Sequence, residues 1–254
     1  MRDIAEAAII IVVMNGLGFL WAFTRKTESL TDLIYSLSFL VVAAWGYFRL
    51  TEVDWGQGMV FGMVTLWAGR LGIYLFRRIH AMGKDDRFDE MRESLTSLGG
   101  FWFFQALTIL IVSLPFIFYL NRGLPPENLT LTYVGTGIWL VGFVLETVAD
   151  FQKFSFKQNP ANKGKFMRGG LWDVVQHPNY LGEMLVWIGV FIACLPGIRG
   201  PEWIGILSPL WVIVILIFVS GIPMLQESWS EKYGDDPEFQ KHQKNTSKLI
   251  PYIY

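Results

Sequence analysis

A single cysteine, Cys194, leaves no internal disulfide to expect; in an apolar run it reads as filler in a lipid-facing helix. The three histidines, His80, His177 and His242, are far apart and lack ligand spacing, so no metal site is expected. No Gly-x-Gly-x-x-Gly run follows a strand pattern, which excludes a Rossmann domain. Charge is also scarce. Charged residues make up 17% of the chain, against roughly 25% in soluble domains. The net charge of -1 says little about partners; no nucleic acid is expected among them.

In place of charge the chain has apolar length. Seven blocks stand out: Ile4–Phe23, Ser29–Leu50, Met59–Phe76, Phe101–Leu120, Leu131–Val148, Leu181–Ile198 and Trp203–Leu225. Each approaches the roughly 17–25 residues that cross a bilayer as a helix. The fold class predicted is an all-α polytopic membrane protein with seven transmembrane helices. The first block is too long for a cleaved leader and has no small-residue cleavage site before Arg25. Basic residues then set orientation. Of the 21 Lys and Arg, only Arg2, Arg49, Arg122 and Arg199 fall in loops on one side, and Arg70 lies inside span three. The rest follow spans one, three, five and seven, which places the N-terminus outside and the C-terminal tail cytoplasmic. Residues 1–254 read as one membrane domain, with helices one to four in 1–120 and helices five to seven with their loops in 131–254.

Polar residues inside the blocks carry most of the information. Asn15 with Gly16 and Gly18 marks close helix packing, and Glu6 lies at the solvated outer edge. Ser29 or Thr31 can cap span two. Asp32 then falls in its first turn, favoured there by the helix dipole or facing a cavity between helices. Arg70, Tyr74 and Arg77 share one face of span three. That stripe is either structural, with Arg70 paired to Glu52 or Glu146, or it places a tyrosine at catalytic depth. Span four looks featureless. In span five Glu146, Asp150, Lys153 and Lys157 follow one helical face, acidic and then basic. The lysines can snorkel, whereas the carboxylates are expected to face the interior.

The loop 80–99 is charged with mixed sign and reads as a solvated loop or as a lid. An Asn128-Leu129-Thr130 sequon follows span four. The densest polar cluster lies in Arg168–Trp187, where a Gly-Gly turn leads to Gln176, His177, Asn179, Tyr180 and Glu183. Pro178 suits the first position of the following helix. A helix N-terminus at this point suits an anionic group such as a phosphate. The tail reads as a charged helix broken between Gly234 and Pro237, ending in aromatic residues that can dock at the interface.

Four ordered blocks, DFQKFSFKQNP, MRGGLW, HPNYLGEMLVWIG and the terminal LIPYIY, resemble the steroid 5-alpha-reductase superfamily and the C-terminal half of sterol C14 and C7 reductases. The wording of GRLGIYLFRR and of the tail is most similar to a bacterial branch without assigned function. The resemblance implies NADPH-dependent reduction of an activated C=C bond in a lipophilic substrate within the membrane. It implies cofactor binding by Asp150, Lys157, Arg168, His177, Asn179, Tyr180 and Glu183, a lysine standing at 157 where the steroid enzymes have arginine. Tyr74, with Arg77 three residues on, matches the family's tyrosine and arginine. Asp32 falls where the family has a glutamate, so Tyr74 and Asp32 are the expected catalytic pair. The expected setting is a bacterial inner membrane or endoplasmic reticulum. Two other readings stay open: an S-adenosylmethionine-dependent methyltransferase of the isoprenylcysteine type, with Gln226 and Glu227 as its late acidic element, and a non-catalytic sterol or lipid binder.

Overall fold

Long apolar runs away from water satisfy their backbone groups within the run, by coiling. A computed structural model of the chain, describing residues 2–82, 89–122 and 128–251, is accordingly helical; among those residues the one β feature is an isolated parallel bridge between Val175 and Ser247. The helices are α1 (Arg2–Arg25), α2 (Thr31–Tyr47), α3 (Trp55–Met82), α4 (Asp89–Glu93), α5 (Leu95–Leu120), α6 (Thr130–Gln158), α7 (Pro178–Cys194), α8 (Leu207–Val214), α9 (Ile222–Tyr233) and α10 (Pro237–Asn245). Short 3-10 turns occupy Pro160–Asn162, Gly170–Asp173, Leu195–Gly197 and Gly200–Ile206.

Among the described residues, six stretches are long and apolar enough to cross a membrane: Arg2–Arg25, Trp55–Ala81, Leu95–Leu120, Thr130–Gln158, Pro178–Gly197 and Gly200–Tyr233. The seventh expected span is helical but short. Its helix α2 has 17 residues, about 25 Å of rise against a hydrocarbon core of about 30 Å. The last stretch is not one α-helix. It passes from a 3-10 turn into α8, then through a π-helical turn at Ile215–Val219, and breaks at Ser220–Gly221 before α9.

The chain packs as two compact units, one of residues 1–136 with 190–208, the other of residues 137–189 with 209–254. Unit 1 is organised by α1, α2, α3 and α5. Asn15, buried on α1, donates to Ser38 on α2 at 3.5 Å and accepts from Gln105 on α5 at 3.0 Å. Span four is therefore not featureless: Gln105 is buried and closes a polar bridge across three helices. Gly18 gives the close approach expected, against Ile34 and Trp102, while Gly16 meets nothing. The cap of α2 also differs. Its N-cap is Leu30, with no side-chain cap bond, and Thr31 is already the first helical residue. Cys194 is fully buried, not lipid-facing. Glu6 is held by Arg2 and Arg49.

Unit 2 holds most of α6 and α7 and everything from Pro209 on. The tail breaks where expected, with Asp236 capping α10 through a bond from the Glu238 amide at 2.9 Å. Residues 83–88 of the charged loop, with Lys84 and Arg87, lie outside the described residues, as do 123–127 and the aromatic residues 252–254. The interfacial docking of the tail concerns residues 252–254, whereas the loop expected over 80–99 is helical to Met82, over Asp89–Glu93 and from Leu95 on.

Candidate functional site

Helices α6 and α7 meet backbone to backbone. A Cβ on Gly182 would lie 2.6 Å from the amide nitrogen of Glu146, and one on Gly142 would lie 2.6 Å from the carbonyl of Gly182. Glycine at 182 is thus required by contact. The approach carries the N-terminal turn of α7 onto the polar face of α6. Asn179 donates its side-chain amide to Asp150 at 3.3 Å. Glu146 and Asp150 are 3% and 5% exposed, so both carboxylates face the interior, as the low tolerance of lipid for charge demands. Glu183, four residues after Asn179, lies on the same face of α7 and is half-buried.

The loop ahead of α7 is fixed from both sides. Gly169 and Gly170 have φ of 100° and 61°, a region costly to residues with a Cβ, and the Gln152 side chain occupies the place a Cβ on Gly170 would take. Gln152 accepts from the Leu171 amide at 3.1 Å, and Asp173 accepts from the Gly169 amide at 2.9 Å. Trp172 is buried and donates its indole N–H to the carbonyl of Ala149 at 3.1 Å. Its ring carries the Lys153 ammonium at 5.0 Å, so Lys153 does more than snorkel.

From the other side comes the C-terminal segment. The amides of Gln176 and His177 donate to the carbonyls of Ser247 and Lys248 at 2.8 and 3.0 Å. The Gln176 side chain donates to the carbonyls of Gln243 and Thr246 at 3.0 and 2.7 Å. These bonds satisfy donors that the start of α7 would otherwise leave open.

His177 is completely buried. Its ring stacks on Tyr180 (centroids 5.5 Å apart, planes 10° apart) and on Trp229 of α9 (5.1 Å and 7°). Neither ring nitrogen has a hydrogen-bond partner among the described residues. Burial, and after it the nearby charges of Lys153 and Lys248, push its pKa down to about 3, so the imidazole is neutral at physiological pH. His242 is also pushed down by burial, opposed by Asp173 at 4.0 Å.

The expected cofactor residues separate into two groups. Asp150, His177, Asn179 and Tyr180 come together, with Glu183 on the face of Asn179. Arg168 instead pairs with Glu238 of α10 at 3.3 Å and covers Phe166, and Lys157 is exposed near the end of α6. In unit 1, Asp32 is joined at 3.0 Å by Arg78, not Arg77, which is exposed. Arg78 stands four residues after Tyr74, on its side of α3. Gln152, Trp229 and Arg78 belong to these arrangements and were absent from the expected site, while Gln176 was named only in the polar cluster and not among the cofactor residues. Arg78 shares with Arg77 a helical spacing from Tyr74, and Trp229 had no sequence signal.

A family model matches most of the chain, and individual known proteins match about half of it or less. The family described as "Protein of unknown function (DUF1295)" matches residues 18–246. A probable O-methyltransferase, ustE, of Ustilaginoidea virens is 48% identical over 56 residues, 21% of this chain and 20% of that protein. The Delta(14)-sterol reductase of Arabidopsis thaliana is 25% identical over 133 residues, 46% of this chain and 32% of that protein. The 3-oxo-5-alpha-steroid 4-dehydrogenase 1 of Macaca fascicularis is 27% identical over 123 residues, 48% of this chain and 41% of that protein. The chain thus spans less than half the length of these relatives. A family match over residues 18–246, with steroid and sterol reductases among the relatives, places the chain in the DUF1295 family, within the steroid 5-alpha-reductase-like superfamily.

Proposed function

We propose that the protein is an NADPH-dependent membrane reductase acting on an activated C=C bond, an enone, of a steroid or other lipophilic substrate. The observation that carries the reading is the joining of buried Asp150 to Asn179 at the start of α7, beside a neutral His177. The donor set fits a dinucleotide. Asn179, Tyr180 and the carboxylates offer bonds to amide and hydroxyl groups, the buried imidazole nitrogens and Gln176 Oε1 lack partners among the described residues, and Lys153, Lys157 and Arg168 bring positive charge for phosphates. On this reading Asp150, Lys157, Arg168, His177, Asn179, Tyr180 and Glu183 hold the cofactor. When bound, NADPH supplies a hydride for the β-carbon of the enone.

The chain's own task is to handle charge and protons. Negative charge develops on the substrate carbonyl oxygen and needs a positioned donor. Tyr74 fills that role in this reading, with Asp32 held in place by Arg78. The membrane topology follows the same reading: α2 joins the six long helices as a seventh span, the N-terminus lies outside, and residues 131–254 form the cofactor half of one membrane domain.

The test is NADPH consumption by purified protein screened against steroids, sterols and short enones. Asn179→Ala and Asp150→Ala are expected to abolish cofactor binding, and Tyr74→Phe to retain binding while losing turnover. Unchanged cofactor affinity in the first two variants overturns the assignment. A second reading, an S-adenosylmethionine-dependent methyltransferase, is favoured by the short, high-identity match to the probable O-methyltransferase. Tight binding of S-adenosylmethionine in place of NADPH decides for it.

A further inference from the structure

Tyr180, His177 and Trp229 form a column of three nearly parallel rings. The middle ring is completely buried, yet neither of its nitrogens has a hydrogen-bond partner among the described residues. Gln176, next to it, has the same character: its side-chain N–H groups are bonded to two carbonyls, while its Oε1 is buried without a partner. A completed protein core satisfies such groups. Both unsatisfied residues border the same indole. Trp229 stacks on His177, and it lines a small crevice with Gln176, Phe166, Met167, Phe239 and His242.

The cover is built to move. Trp229 is only half-buried, on a helix that starts after a joint. The π-helical turn Ile215–Val219 precedes α9, the amides of Ser220 and Gly221 both donate to the carbonyl of Ile215 at 2.9 and 3.3 Å, and Gly221 takes φ −84° and ψ −96°, outside the helical region. π-turns of this kind recur at functional sites. A rotation at the joint would carry Trp229 off the column and leave α9 intact.

The charges nearby favour a nucleotide. The two cations acting on His177 are Lys153 and Lys248. A flat uncharged ring flanked by lysines presents a stacking platform for a base and counter-charge for its phosphates.

We infer that Trp229 is the placeholder of a purine: the adenine base of a nucleotide cofactor displaces the indole, stacks on His177 and donates its amino group to Gln176 Oε1, with the phosphates drawn to Lys153 and Lys248. The inference rests on the cofactor reading above, and adenine is common to NADPH and S-adenosylmethionine. Trp229 is then a specificity residue that competes with the ligand. Removing the indole strengthens adenine nucleotide binding, the opposite of what loss of a structural contact does.

The experiment measures binding of NADPH, S-adenosylmethionine, AMP and nicotinamide mononucleotide to the full chain, wild type and Trp229→Ala. The variant is expected to bind AMP and the adenine cofactor about 3- to 10-fold tighter, the worth of one aromatic stack, with nicotinamide mononucleotide unchanged. Weaker or equal AMP binding overturns the inference. Two further measurements need no Trp229→Ala protein. The NADPH analogue with hypoxanthine in place of adenine is expected to bind wild type about 10-fold more weakly, for the lost amino-group bond; equal affinity overturns the inference. The change in tryptophan emission on AMP binding is expected to shrink in Trp229→Phe, and an unchanged signal overturns the inference. If S-adenosylmethionine alone gives this signature, the adenine slot stands and the reductase reading falls. If NADPH binds with Trp229 silent, the slot falls and the reductase reading stands.

Discussion

Acid should loosen the start of α7, through His177. In the folded chain its pKa is pushed from 6.5 down to about 3, chiefly by burial and then by Lys153 and Lys248. When the loop ahead of α7 opens, the imidazole meets water and titrates near 6.5 again. A group whose folded pKa is depressed leaves stability intact above its unfolded pKa and removes it as pH falls toward the folded one. The window therefore runs from about pH 6.5 to about pH 3. At pH 4.5 the open form is nearly fully protonated and the closed form is not, which favours opening by about 2–3 kcal/mol relative to pH 7.5. Hydrogen exchange of the amides of residues 175–183, in detergent at pH 7.5 and 4.5 and corrected for intrinsic rates, reads this directly. Carboxylates also change charge in acid, so the comparison is with His177→Gln, which keeps a neutral polar side chain. Protection in the wild type should fall by roughly 30- to 100-fold more than in the variant, the same free energy expressed as a ratio. Equal acid sensitivity in the two proteins would refute the assignment of a depressed, neutral His177.

Other perturbations have defined outcomes. Gly182→Ala places a Cβ against the backbone of Glu146; overpacking of this kind costs about 1–3 kcal/mol, so thermal unfolding should drop by several degrees and NADPH affinity should fall with it. Gln105→Leu leaves the buried Oδ1 of Asn15 without its donor, at about 1–2 kcal/mol within a membrane protein, and pairing it with Asn15→Leu should recover most of the loss in a thermal melt. Arg78→Ala removes the ion pair to Asp32 and is expected to lower kcat with cofactor affinity unchanged, whereas Arg77→Ala, at an exposed position, should leave both intact; equal effects would remove Arg78 from the support of Asp32.

Helices were readable because a span announces itself through many residues at once. The burial of Glu146 and Asp150 was readable for the same reason, since an apolar run gives a carboxylate few places to go. What could not be read depended on contacts between distant segments. Nothing local distinguishes Arg77 from Arg78, because the choice is made by where Asp32 lies. Arg168 was expected near a phosphate, and nothing in the sequence showed that Glu238, far along the chain, would pair with it. The short α2 and the π-turn before α9 follow from backbone detail that hydropathy does not encode. Gln176 was noticed for its polarity, but its bonds to the tail rest on carbonyls, which every residue has.

The bonds between the loop ahead of α7 and the tail, a latch, also set an order of events. Gln176 is held by Thr246, 70 residues further on. The segment that fixes the loop is therefore made last, and the loop cannot be closed by these bonds until residues 243–248 have been synthesised. A chain stalled before that point would carry its membrane helices without a finished site. A bulky fusion placed directly after the latch would interfere with the step that completes it.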